Sequence, residues 1–407
     1  MKTRKAIAMA SAAMAAATGW GAGFALYEGS AAGTALGGTV MGRAYDGSAN
    51  FYNPATLSDF TNTVVTVGLV TEHPTADTFI DGHPGRKMNP GGFVLPHFHL
   101  VQPLPYDFSF GLGFAPEFGL GTHYHPGWEM DWNTQKTLVE GLTLTPNLAY
   151  RITEDWSVSA GFRLLYFSFD QTSEPYAYGP LRGHFHLKGD NNFEDWGWQV
   201  STRYRVTDAV SVGAMYQSYI DTEVRGHAHM STGLPQIDTA ASGSAGADIR
   251  LPQSVTLGAN WDVTDTVHLG SAITWTEWSS MPYIRFDLPS GTKPVRLRWD
   301  DAFRFAFGGS WDFHENFALL GSYVYDMDPC CTKQDSGTTM LPPGDRHIGA
   351  LGVAWRYRSL EITVGYALVF MASESVDFTN PYTGRKHRFS TSNGLSQSAG
   401  VSLTYRF

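Results

Sequence analysis

The stretch Leu395-Ser396-Gln397-Ser398-Ala399-Gly400-Val401-Ser402-Leu403-Thr404-Tyr405-Arg406-Phe407 alternates almost without error. Leu395, Ala399, Val401, Leu403, Tyr405 and Phe407 share one parity, which only Gln397 interrupts; Ser396, Ser398, Gly400, Ser402, Thr404 and Arg406 share the other. Successive side chains of a strand point to opposite faces, so this segment is apolar on one side and polar on the other. A wall with lipid outside and water inside has that property. Working back along the chain, the pattern recurs about fourteen times with unequal spacers. That repetition predicts a transmembrane antiparallel β-barrel of about fourteen strands, an even number as closure requires.

Composition sets the bounds. The chain has 407 residues, of which 43% are hydrophobic and 14% aromatic, yet no uninterrupted apolar run approaches a spanning helix. The only cysteines, Cys330 and Cys331, offer no disulfide framework. Their redox state is open between a local disulfide and free thiols. A net charge of −10 argues against a nucleic-acid partner.

Lys2, Arg4 and Lys5 followed by the Ala/Met-rich stretch 6–17 read as a signal peptide over residues 1–21, with Gly19 and Gly21 placed for cleavage before Ala22. Export followed by amphipathic strands predicts a Gram-negative-type outer membrane. Strands are expected to begin near Thr63, Gly92, Asp107, Thr137, Trp156, Phe185, Val210, Ile249, Val267, Arg296, Phe317, Arg346, Leu360 and Gly394. Tight polar turns at Pro103–Asp107, Thr153–Asp155, Thr207–Ala209, Thr264–Thr266, His314–Asn316 and Arg358–Ser359 alternate with long segments such as His227–Asp248 and Met327–Gly344. Short turns mark the periplasmic side and long loops the outside.

Parity predicts that Val158, Ala160, Phe162, Leu164 and Tyr166 face lipid while Ser157, Ser159, Gly161 and Arg163 face the lumen. It likewise turns Trp299, Phe303, Phe305, Phe307 and Trp311 outward, and Arg298, Asp300, Arg304 and Ser310 inward. A cation facing lipid at the bilayer midplane costs about 2–4 kcal/mol, which agrees with the inward choice. Arg203, Arg205, Arg346 and Arg356 fall inside by the same count.

Residues 22–61 are Gly- and Ala-rich, without strand alternation, but carry Phe24, Leu26, Tyr27, Leu36, Val40, Met41, Phe51, Tyr52 and Leu57. A disordered tail rarely keeps so many apolar anchors. A plug, or hatch, inside a barrel spanning residues 62–407 is the expectation.

With the barrel on the page, further residues resemble the FadL/TodX outer-membrane transporters. The resemblance rests on Ala22-Gly23-Phe24-Ala25-Leu26, Gly42-Arg43-Ala44-Tyr45 and Phe51-Tyr52-Asn53-Pro54-Ala55, the last carrying the hatch motif Asn53-Pro54-Ala55. It continues through Leu95-Pro96-His97-Phe98, Phe118-Gly119-Leu120-Gly121-Thr122 and Thr145-Pro146-Asn147-Leu148-Ala149-Tyr150. Leu251-Pro252-Gln253-Ser254-Val255, Trp275-Thr276-Glu277-Trp278-Ser279-Ser280, Tyr325-Asp326 and Asp345-Arg346-His347 complete the series, nearly end to end. The resemblance implies a monomer surrounded by outer-membrane lipid. It takes up long-chain fatty acids or other hydrophobic solutes by extracellular capture, a lumen site and lateral release at a kinked strand.

The residues meet that expectation at Phe108–Glu117, where Gly113 and Pro116 mark the kink; Pro116 cannot donate to the ladder. The competing reading puts Pro116 already in an extracellular loop. A carboxylate head group needs a cation, and the inward Arg163 and Arg304 are the candidates. The competing reading has a lumen Arg solvated or paired with an acid such as Asp300. Phe118, Tyr124, Trp128, Trp132, Tyr176 and Tyr178 suggest an outer capture surface, against which stands an interfacial girdle.

His97/His99, His123/His125, His184/His186 and His227/His229 each place two imidazoles on one face, but lack the third ligand of a metal site, so neither metal nor cofactor is expected. An apolar groove admits fatty acids, aromatic hydrocarbons and terpenoids alike. A general or aromatic-hydrocarbon diffusion channel is the second class, disfavoured by the plug. A barrel enzyme is the third, and nothing arranges Ser, His and Asp as a catalytic set.

Overall fold

The computed structural model describes residues 23–407 except 90, 179–180, 298, 330–343 and 381–383; the signal segment 1–21, Arg298, Cys330 and Cys331 lie outside the described residues. The described residues form a closed antiparallel barrel of fourteen strands. The first five are β1 (Val64–Ile80), β2 (Phe93–Pro103), β3 (Phe108–His123), β4 (Lys136–Arg151) and β5 (Trp156–Ser173). The next five each consist of two segments. These are β6 (His184–Asp190, Asp195–Arg205), β7 (Val210–Gln217, Ile220–Ser231), β8 (Gly243–Leu251, Ser254–Asp262), β9 (Val267–Thr276, Tyr283–Leu288) and β10 (Gly291–Arg296, Ala302–His314). The last four are β11 (Phe317–Asp326), β12 (Arg346–Tyr357), β13 (Leu360–Met371) and β14 (Lys386–Arg406). β14 closes on β1 from Val64 opposite Arg406 to Ile80 opposite Phe389.

Face assignment follows the alternation of the C-terminal stretch. Val401, Leu403 and Tyr405 are exposed on the lipid side, while Ser398, Ser402 and Thr404 are buried inside. The outward exception, Gln397, accepts a hydrogen bond from the Tyr366 hydroxyl of β13 at 2.8 Å. Phe162 and Leu164 face out and Arg163 in; Phe303, Phe307 and Trp311 face out and Arg304 and Ser310 in.

Trp299 is a correction. It is buried inward, 5.3 Å from the Trp278 ring, because β10 is interrupted between Arg296 and Ala302 and parity does not carry across the break. Asp300, expected inside, is exposed there, and its N–H donates to the Pro329 carbonyl.

The tight turns all lie at one end, as expected, but the strands climb further at the other. Much of His227–Asp248 belongs to β7 and β8. Those upper segments invert the polarity rule. Their outer face carries exposed ion pairs, Arg225–Glu223 and Arg250–Asp221, and their inner face buries Phe185, Val224, Met230, Ile249 and Phe286. Exposed pairs add little stability; here they mark where the wall has left lipid for water. The strand starts expected at Ile249 and Gly394 fall late because lipid-facing alternation stops below them.

The segment ahead of β1 packs inside the barrel as two short helices, α1 (Ala31–Ala35) and α2 (Ala49–Tyr52), then a 3-10 turn at Pro54–Asp59. Asn53 caps that turn by accepting from the Ala55 N–H, and its amide donates to the Met41 and Thr202 carbonyls at 2.5 and 3.1 Å. Pro54 occupies the first turn, where no N–H is needed. The Ala55 N–H donates to Ser201 Oγ of β6, and its carbonyl accepts from Ser157 Oγ of β5. Asn53, Pro54 and Ala55 therefore rivet the segment to the wall. Asn50, Gly42 and Ala31 bond Thr145, Asn260 and Ser402 around the circumference.

Two tests follow from this anchoring. Deleting residues 22–61 should leave a folded barrel with raised conductance in planar bilayers, since the wall closes without them. Asn53→Ala should cost about 1–3 kcal/mol for the buried groups left unpaired, read as accelerated proteolysis around residues 23–61 while the barrel resists.

Candidate functional site

The β2–β3 ladder is incomplete. Among the described residues these strands pair only from Phe98 opposite Phe114 down to Pro103 opposite Ser109. Above that level Phe93–His97 remain paired to β1, and Ala115 to His123 to β4, with a register shift between Pro116 and Phe118. A wedge is open between two neighbouring strands, each carrying a proline beside it, Pro96 and Pro116.

The N-terminal segment partly closes the wedge as a short added strand. The Leu26 N–H donates to the Glu117 carbonyl and the Gly119 N–H to the Phe24 carbonyl, both at 2.8 Å. Glycine permits the approach, since a Cβ on Gly119 would lie 2.6 Å from Leu26 Cδ1.

Gly113 is not part of the kink. It stays paired with His99 on one side and Thr145 on the other, and a Cβ there would lie 2.6 Å from the Asn50 amide. Its small size serves the hatch, and the irregularity begins at Pro116.

A cavity of about 380 Å³ opens at the wedge. It is lined inside by Tyr27, Arg304 and Asp326, and at the wall by Phe93, Pro96, Pro116 and Leu142. Neighbours of opposite parity, Val94 with Leu95 and Val139 with Glu140, both line it, so it passes through the wall. Val94 is 61% exposed on the lipid side, whereas Val139 is buried. In the upper lumen an apolar cluster gathers Phe24, Phe118, Phe167, Trp278 and Met281. Tyr27, deep in the cavity, remains a neutral phenol; burial first, then the Asp326 charge, push its pKa up to about 12.

Both candidate arginines are inside, on different duties. Arg163 is buried in an ion pair with Glu117, the residue at the bulge: Nη2 lies 2.9 Å from Oε2 and Nε 3.1 Å from Oε1. Its Nη1 donates to the Ser218 carbonyl, and the Gln217 amide donates to Glu117 Oε1. Its donors thus hold the kinked strand, and its acid is Glu117 in place of Asp300. Arg304 donates to the Gly37 carbonyl at 3.1 Å, and its guanidinium sits 4.1 Å over the Tyr27 ring. Its Nε is buried without an acceptor, and the residue lines the cavity.

Sequence reasoning missed Glu117, although it shares the inward parity of Ser109, Gly111, Gly113 and Ala115 in β3, and the cavity carboxylates Glu28, Glu72 and Asp326. Parity was a usable signal for Asp326 in β11, for Glu72 in β1 and for Glu117 in β3, but not for Glu28 in the hatch.

The aromatic residues expected to form the outer capture surface are buried among one another. Tyr124, Trp128 and Trp132 pack with Met88, Met130 and Phe389 in a cap, Tyr124 stacking on Trp128 at 4.0 Å, and Phe118 belongs to the lumen cluster. Tyr176 packs against that cap partly buried, and the Tyr178 side chain lies outside the described residues. Adjacent long loops bury such side chains against one another because water is the alternative.

His97 and His99 are buried in β2, bonded to Ser402 Oγ and the Gly29 carbonyl. His184 and His186 face Glu174 and Asp170. His123, His125, His227 and His229 sit in or near the outer loops.

This geometry defines an outer-membrane transport barrel with an internal hatch and a break in its wall. The chain belongs to the family described as Outer membrane protein transport protein (OMPP1/FadL/TodX), which it matches over residues 12–407. It is similar to the long-chain fatty acid transport protein of Escherichia coli, with 23% identity covering all of this chain and 98% of that one. In structure it resembles a Pseudomonas aeruginosa FadL homologue, with TM-score 0.83 and 22% identity over 95% of this chain and 100% of the other. The Pseudomonas putida toluene transporter TodX superposes with TM-score 0.71 and 20% identity over 94% and 99%. The protein resides in the outer membrane.

Because Arg163 and Glu117 are both buried, removing one strands the other. Glu117→Leu should cost about 3–5 kcal/mol, measured by urea unfolding in detergent. The double variant Glu117→Leu/Arg163→Met should recover most of that loss; additive losses would show that the pair is not coupled.

Proposed function

We propose that this chain carries hydrophobic small molecules passively across the outer membrane. A solute is taken from the outside, held in the cavity beside Arg304, and released sideways into the bilayer between β2 and β3. One observation carries the reading: the cavity runs from the lumen through the wall where the two strands part. A solute following it need not cross the periplasmic half of the lumen, which the hatch fills. Transfer from water to hydrocarbon is downhill for apolar molecules, so no energy source is required. The relatives named for long-chain fatty acids and for toluene support the solute class.

A general diffusion channel is the weaker reading, because residues 31–58 are largely buried across the lumen. We assign Arg304 the contact with the solute's polar end and Arg163 the task of holding Glu117 and the bulge. The functional unit is one chain surrounded by outer-membrane lipid, and passage involves no chemical step.

Pro116→Val tests the exit. It supplies an N–H and a strand-forming residue at the wedge, and uptake of a labelled hydrophobic solute by cells should fall several-fold at unchanged outer-membrane abundance. Uptake equal to that of the unaltered protein would show that Pro116 does not gate the path.

A further inference from the structure

We propose that the outer wall of β7, β8 and β9 carries a binding site for the sugar head of an outer-leaflet glycolipid. The site shares no lining residue with the solute cavity, and its test is independent of the transport reading.

The ladder has a second break. The lower segments of β8 and β9 stay paired up to Ser254 opposite Thr276, and their upper segments pair only at Gly246–Asp287, Ala247–Phe286 and Asp248–Arg285. Between these levels β9 leaves the ladder through the 3-10 turn Trp278–Ser280. A recess of about 440 Å³ lies there. Exposed ion pairs on this part of the wall place it in water, where an interrupted ladder is tolerated.

The register sets six side chains in two rows on the outward face. Glu223, Asp248 and Arg285 lie directly opposite one another on three successive strands; Asp221 lies opposite Arg250, with Tyr283 beyond the break. Strand spacing and same-face repeat make this frame about 10 Å by about 7 Å, the footprint of a sugar ring or two.

Arg250 holds Asp221 through Nε and Nη2, at 2.6 and 3.0 Å, and covers the exposed Tyr219 ring at 4.6 Å. Arg285 holds Asp248 through Nη2. Among the described residues Arg250 Nη1, Arg285 Nε and the hydroxyl of the 51% exposed Tyr283 make no bond. Glu223 and Asp248 face each other as like charges, an arrangement that costs stability unless cations attend both, as Arg225 and Arg285 do.

An anion entering the frame meets a carboxylate beside each arginine, and a cation meets an arginine beside each carboxylate. A neutral polyhydroxyl suits both sets. Its hydroxyls donate to Asp221, Glu223 and Asp248 and accept from Arg250, Arg285 and Tyr283, while the ring face lies against Tyr283.

Below the recess the same face turns apolar. Up β7 the outward residues are Val212, Ala214 and Tyr216, then Tyr219 past the break, and only then Asp221 and Glu223. Trp196 and Trp198 of β6 are exposed as well. Aromatic side chains of this kind mark the membrane–water boundary. An amphiphile with its acyl chains along Val212 and Leu257 therefore presents its head at the recess, whereas a free saccharide gains nothing from the apolar face.

The mature protein in mild detergent with EDTA is titrated with rough lipopolysaccharide, which is lipid A carrying core sugars without an O-chain, and binding is read by native mass spectrometry. One site per chain is expected, weakened about ten-fold by Arg285→Gln and by Tyr283→Ala and unchanged by Lys136→Gln on another part of the outer wall. Should one variant fail to fold, the other decides. Phosphatidic acid, which has phosphate and chains but no sugar, and the delipidated core oligosaccharide should each bind at least about ten-fold more weakly.

Phosphatidic acid binding as tightly, with the same response to Arg285→Gln, would make this a phosphate site. Oligosaccharide binding as tightly would remove the lipid, and binding seen only with calcium would make it a cation site. Lipopolysaccharide binding indifferent to both variants would place the lipid elsewhere. Each of these results overturns the inference.

Discussion

In hydrocarbon a backbone N–H or carbonyl has no water to turn to, and the whole molecule is arranged around that constraint. The ladder closes from β14 onto β1 over its full length, so the wall has no free edge at the seam. The described wall departs from this at the upper half of β2 and β3, where the strands part above Phe98 and Phe114. There the hatch lends its own backbone, with Leu26 and Phe24 bonding the edge that β2 abandons. The opening is therefore a place where one set of main-chain partners has been exchanged for a detachable one. A permanently unpaired edge would be costly; a shared edge is not.

The hatch depends on the same economy of polar groups. The lower lumen is lined by Ser, Thr, Asn and Arg side chains because the outward parity belongs to lipid. Those polar groups must then be satisfied inside. Asn53, Asn50 and Gly42 meet Thr202, Thr145 and Asn260 across the lumen, and each contact fixes the hatch while satisfying the wall. Higher up the arrangement reverses, as Leu165, Phe167 and Phe169 follow Arg163 on the same inward parity of β5. Outward, Ser168 and Asp170 replace Phe162 and Leu164, because that part of the wall stands in water. A solute entering from outside thus meets an apolar interior above a polar, hatch-filled base, and the wedge lies beside the boundary between them.

The Arg163–Glu117 pair gives the boundary its fixed geometry. A buried ion pair is a weak source of stability, since desolvation offsets much of the attraction. Its directional bonds nonetheless hold the residue next to Pro116 in one orientation, tying β3 to β5 and, through Gln217, to β7. One pair thereby shapes the opening.

How much of this was legible in the chain depends on distance along it. Alternation is a property of neighbours, so residues 395–407 and their counterparts revealed the barrel, the tight turns and the inward placement of Arg163 and Arg304 without help. The anchors in residues 22–61 likewise announced a packed segment, because apolar side chains without periodicity still need burial. What parity could not carry was anything lying beyond a break in the ladder. Trp299 turned inward because β10 is interrupted between Arg296 and Ala302, and Phe118 turned inward because the bulge after Pro116 shifts the register. The aromatic loop residues read as exposed because their partners, Met88 and Phe389, are distant in sequence and adjacent only in the fold. The grouping of the polar side chains that line the cavity was hidden for the same reason: Glu28, Glu72, Arg304, Asp326 and Arg346 come from five separate parts of the chain. Local alternation determined the wall; long-range closure decided which side chains share the space within it.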